Sequence, residues 1–279
     1  MGAIFRHELR NYFHSLTAYV FGAFLLAVVG LGSVLYNLQA AVSNFEFVLS
    51  FASIIFVVIV PILTMRTLAE ERRQRTDQLL YSLPITTTQV VLGKYFALLV
   101  VYLIPLAVVS LYPLLFSQFG EVYLPTSYGS LFAFFMMGAA LLAVGMFLSS
   151  LTDNQGFAAG IGIAAILLNY YSVSLAEYTS STAMGSLIAL YVIALLLGVV
   201  IHNLTRNENL AYGVTLVLIA ALSVAYFVNS SAFEGLLPDI MTKLSLFRQF
   251  NSFVNGAFDL TAIVYYCLLY TSPSPRDCS

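Results

Sequence analysis

FVLSFASIIFVVIVPILTMRTLAEERRQRTDQLLYSLP, residues 47–84, changes character at Met65. Nineteen residues without a charge, 47–65, run into a segment with seven charged side chains in the twenty from Met65 to Pro84. In a chain only 9% charged and 60% hydrophobic, such contrast marks a boundary between two solvents. The mean hydropathy of +0.92 identifies the apolar solvent as a lipid bilayer.

Backbone polar groups in hydrocarbon have no water to bond, so the long apolar runs are helices that satisfy themselves. A crossing needs roughly 20 residues. On that measure spans are expected at 16–38, 47–65, 90–116, 128–150, 156–175, 184–201 and 211–228, with another beginning at Thr261. Gly, Ser and Asn dilute the fifth to seventh runs, where a re-entrant pair would read similarly. The fold class is therefore all-α, a polytopic integral membrane protein with about six to eight transmembrane helices.

Lys and Arg in the short loops set orientation. With the amino terminus inside, Arg6, Arg10, Arg66, Arg72, Arg73, Arg75, Lys94 and Arg206 lie on the cytoplasmic side, and Lys243 and Arg248 lie outside. A plasma-membrane, multi-pass protein with a cytoplasmic amino terminus follows. Arg66 and Lys94 flank apolar runs and are expected to anchor at the interface, their long stems reaching lipid phosphates. The net charge of -2 sums over two sides of a bilayer and implies no nucleic-acid partner.

Two stretches read as amphipathic. Ile4, Phe5, Leu9, Tyr12, Phe13 and Leu16 share one helical face, with Arg6, Arg10, Asn11 and His14 elsewhere, which predicts a helix along the inner interface. Leu236, Ile240, Leu244 and Phe247, followed by Phe250 and Phe253, predict short helices over the outer mouth. The charged loop itself pairs Arg66 with Glu70, Glu71 with Arg75, and Arg73 with Asp77, each four residues apart as on a solvated helix. Leu79, Leu80 and Leu83 add a small apolar stripe before Pro84. A short helix with one polar and one apolar side suits docking onto a cytosolic protein.

Residues 65–97, MRTLAEERRQRTDQLLYSLPITTTQVVLGKYFA, resemble the signature of ABC type-2 transporter permeases, in particular the gliding-associated branch. Met65, Arg66, Glu70, Glu71, Arg72, Arg73, Thr76, Gln78, Leu79, Leu80, Pro84, Leu92, Gly93 and Lys94 stand on the family pattern; Arg75 stands where many relatives have Gly. FRHELRNYF near the start, SSLTDNQ at 149–155 and the stretch 244–266 extend the likeness to Tyr266. The resemblance implies a permease subunit, without ATPase activity of its own and of exporter type. A separate ABC ATPase subunit would dock on loop 66–88, with Glu70, Glu71, Arg72, Arg73, Asp77, Leu79, Leu80 and Leu83 forming the coupling helix. ATP and Mg would reside on that subunit, and a second permease copy or a related permease would complete the path.

The final CLLYTSPSPRDCS, residues 267–279, resembles translated sequencing-adapter sequence. The transmembrane domain is accordingly expected over 1–266, with the last span cut short and Cys267 and Cys278 not native. Without them no disulfide or thiolate metal site can be argued. His7, His14 and His202 have no second ligand at metal spacing. No GxxxxGK[ST], HExxH or GxSxG occurs, and no charged residue is expected near the middle of a span. The absence of a charge at depth weighs against an ion-gradient carrier, which stays open beside a non-transporting scaffold that recruits a cytosolic partner.

Overall fold

The computed structural model describes residues 2–67, 69, 86–152, 154–178, 182–205, 208–255 and 264–266. Among the described residues the regular structure is helical, with no strand. The chain divides into two compact units, 1–170 with 249–279, and 171–248.

In the first unit, α1 (Gly2–His14) ends at Ser15, whose extended backbone turns the chain into α2 (Leu16–Gly32). The Ser15 hydroxyl donates to the Tyr12 carbonyl at 3.1 Å and covers an acceptor freed by the break. A π-helical segment, Ser33–Gln39, prolongs α2. The first apolar run after the turn is split into α3 (Glu46–Ser53) and α4 (Phe56–Thr64), bent by 58°. Tight i→i−3 bonds hold the bend, from Ile55 N to Ala52 O and from Val57 N to Ile54 O.

Beyond the charged loop, Thr86 caps α5 (Thr87–Val109), its hydroxyl accepting from Gln89 N. A short α6 (Tyr112–Phe116) follows, then α7 (Leu124–Ser149) and α8 (Gln155–Tyr178). Helix α7 is the axle of this unit, packing against α3, α4 and α5. Where it crosses α5, the fully buried Tyr102 donates its hydroxyl to the Phe134 carbonyl at 2.8 Å, and Tyr95 donates to Ala139 O at 3.0 Å. Rings of Phe21, Phe56 and Phe135 pack around Tyr102, and that of Phe134 packs on Phe56. This approach requires glycine: a Cβ on Gly138 would lie 2.5 Å from the Tyr102 hydroxyl, and one on Gly145 would lie 2.5 Å from Thr64 Oγ1.

The second unit pairs α9 (Ala183–Thr205) with α10 (Glu208–Val228), joined by a 2.7 Å hydrogen bond between the Tyr191 and Ser223 hydroxyls. After a 3-10 turn at Ser230–Phe233 and the left-handed Gly235 comes α11 (Leu236–Leu244). The 236–253 pattern is broken at Ser245, whose extended backbone separates α11 from α12 (Leu246–Val254). From Gln249 onward α12 is part of the first unit, where Phe250 is fully buried beside Phe134 and Ser130 Oγ donates to Phe253 O.

Among the described residues four helical segments are long and apolar enough to cross a bilayer, or five if α3 and α4 are one broken span. They are Leu16–Gln39, Thr88–Phe116, Leu124–Ser149 and Gln155–Tyr178. The sixth and seventh expected spans are helical too, as α9 and α10, with apolar stretches at Ala183–Val199 and Tyr212–Val228 among the described residues. Exposed Leu, Val and Phe cover the span surfaces, as expected of side chains solvated by acyl chains, not water.

Candidate functional site at the root of the charged loop

Glu70, Glu71, Arg72, Arg73, Asp77, Leu79, Leu80 and Leu83 lie outside the described residues. The structure does describe the ground from which their loop springs, residues 65–67 and 69 on one side and Thr86 on the other. That ground is bound to three other helices.

From α5, Lys94 Nζ donates to Thr67 O at 3.3 Å and to Glu8 Oε1 of α1 at 2.8 Å. Tyr12, one turn beyond Glu8, shares a 3.3 Å hydrogen bond with the Thr67 hydroxyl. From α7, Ser149 Oγ donates to Met65 O at 3.2 Å and accepts from Ala69 N at 3.3 Å. The loop root is therefore collared by Glu8, Tyr12, Lys94 and Ser149.

Lys94 does not reach out to lipid phosphates as a membrane-interface anchor would. It is 1% exposed, and the protein supplies its counter-charge. The reason is that α1 lies across the start of α5: Ile4 and Phe5 pack so closely on Gly93 that a Cβ there would meet Ile4 Cγ2 at 3.1 Å. The apolar stripe of α1 is thus covered by α5 and α2, while Arg6, His7, Arg10 and His14 point away and are exposed. Arg66 is likewise exposed.

A buried ion pair contributes little net stability, because desolvation offsets the attraction, yet either ion left alone costs about 3–5 kcal/mol. The Lys94–Glu8 pair thereby fixes geometry. It holds α1, α5 and the backbone of Thr67 in one arrangement, and any movement of the loop root is felt by all three. Among the described residues no group of three or more His, Cys, Asp or Glu could hold a metal ion.

Sequence reasoning missed Glu8, Tyr12 and Ser149. For Glu8 a signal was present: at 100° per residue it falls between Ile4 and Tyr12, inside the apolar stripe. An acid there requires a buried cation, and Lys94 is it. A second omission is Glu46, which adjoins an expected span and is 3% exposed in the first turn of α3. It lies at the other end of the first unit, with α6 and the start of α7.

No curated protein and no solved structure matches the chain. Residues 29–228 match the ABC-2 family transporter protein family, a stretch that holds Lys94 and Ser149 of the collar and the whole charged loop. An all-helical membrane chain with this match over most of its length belongs to the ABC-2 family of transporter proteins.

Proposed function

We propose that this chain is the membrane-spanning subunit of an ATP-driven exporter and that a separate ABC ATPase subunit grips loop 66–88 from the cytoplasm. Family membership supports the transport role, and the charge asymmetry of the loops supports the cytoplasmic placement. Glu70, Glu71, Arg72, Arg73 and Asp77 form the polar contact, with Leu79, Leu80 and Leu83 as its apolar side. ATP and Mg belong to the partner. Two permease copies, or one copy and a related permease, enclose the path, each holding one ATPase.

The observation that carries this reading is the collar. A loop used only to connect two spans needs no buried ion pair at its base. A loop used as a lever does, since displacement of its tip reaches the spans only through a root that cannot give. Glu8, Tyr12, Lys94 and Ser149 connect that root to α1, α5 and α7.

Co-purification with a cytosolic ATPase, followed by the double charge reversal Arg72→Glu and Arg73→Glu, tests the docking. Assembly should fall at least tenfold. Unchanged assembly together with unchanged ATP turnover would remove the assignment. Lys94→Met separates docking from transmission: the ATPase should still bind, and transport per ATP hydrolysed should drop.

A further inference from the structure

At the end of the first unit away from the loop root, Glu46 is buried with its side chain half satisfied. Ser127 Oγ of α7, with one proton to give, lies 3.2 Å from Oε1 and 3.3 Å from Tyr123 O, whereas Oε2 is inaccessible to solvent and has no hydrogen-bond partner. A carboxylate offers about four acceptor positions. Leaving one oxygen empty in apolar surroundings is costly, and such groups persist where something outside the folded chain completes them. The helix that carries Glu46 is bounded by irregular backbone on both sides. Before it, Ala41 adopts the left-handed region at φ 53°, and after it comes the 58° bend into α4. Helix α3 is thus a short separate piece, packed on α2 and α7.

The missing partner must donate hydrogen bonds and should carry positive charge. A metal ion would need several ligands, and among the described residues no group of three or more His, Cys, Asp or Glu could hold one. An organic ammonium needs less: one carboxylate, a neighbouring hydroxyl and apolar or aromatic surroundings. Ser127 supplies the hydroxyl, and Phe45, the residue before Glu46, packs with the rings of Tyr112 and Phe116. We infer that Glu46 and Ser127 form a recognition point for a protonated amine, so that the cargo class includes molecules bearing a primary ammonium group. The word cargo rests on the transport reading; the binding itself does not.

The test uses the full chain in phosphatidylcholine nanodiscs with no ATPase present, so that a failure here leaves the docking reading intact. Hexylammonium is titrated against 1-hexanol while thermal unfolding is followed by calorimetry. The unfolding temperature should rise saturably with hexylammonium and show no saturable rise with hexanol. Glu46→Gln, close to isosteric and still able to accept from Ser127, should raise the half-saturating concentration at least tenfold, and Ser127→Ala about threefold. No saturable rise, an equal effect of hexanol, or a Glu46→Gln curve that overlays the parent would overturn the proposal. Should Glu46→Gln fail to fold, an unshifted Ser127→Ala titration would overturn it equally.

Discussion

Lys94 and Glu46 are both ionisable, both almost fully buried, and sit at opposite ends of the same helical unit, yet the protein treats them differently. Lys94 is given an ion partner, Glu8, and a carbonyl, Thr67 O. Glu46 receives one hydroxyl and keeps an empty oxygen. A buried charge that is completed internally locks elements together, because moving any one of them exposes the cost of the others. One left incomplete holds its elements through fewer bonds. On the two proposals made above, the ends of this unit do different work: transmission at the loop root, recognition at the far side.

That contrast can be broken by measurement. Its largest expected effect is at Lys94: Lys94→Met should lower unfolding stability by about 3–5 kcal/mol, since Glu8 is left as an uncompensated buried ion. Adding Glu8→Leu should recover most of the loss. A double variant that falls by the sum of the two single losses would show that the pair does not act as a unit.

Next is the steric seat beside the collar. Gly145→Ala, which drives a methyl into Thr64, should cost about 1–3 kcal/mol in denaturant unfolding, and Thr64→Ala in the same chain should relieve it. Glu46→Gln should change stability by only about 1 kcal/mol or less, because the parent already bears the unpaired oxygen. A loss as large as that of Lys94→Met would erase the distinction between the two ends. The smallest effect sharpens the role of burial. Lys243 and Asp239 form a 2.8 Å pair in α11, but both are more than half exposed. Lys243→Ala should shift stability by no more than ~0.5 kcal/mol, and less in high salt.

Much of the architecture was legible before any coordinates. The helical character of the spans expected between residues 16 and 228 was readable because hydropathy and length are local properties, and a bilayer leaves the backbone few alternatives. The crossing count was less so. Residues 47–65 form one continuous apolar run, but they fold as two helices bent at Ile54 and Ile55. Ser50 and Ser53 are its polar residues before the bend, too common in membrane helices to mark it; i→i−3 bonds and the packing of α3 and α4 on α7 accompany the break. The amphipathic start was recognised; the seat that Gly93 of α5 offers to Ile4 and Phe5 was not. The charged loop was the plainest motif in the chain, and its own side chains lie outside the described residues.

By itself the sequence determined that the chain is a helical membrane protein, that a charged loop separates two spans, and that this loop carries an ABC-2 signature. Each depends on neighbours within a few turns of helix. Only tertiary structure decided that Lys94 pairs with Glu8, 86 positions away, that Ser149 holds Met65 across 84, and that Glu46 is sealed against Ser127 across 81. The physical reason is that the state of a buried charge depends on what surrounds it in space, and those surroundings come from helices that meet only once the bundle has closed.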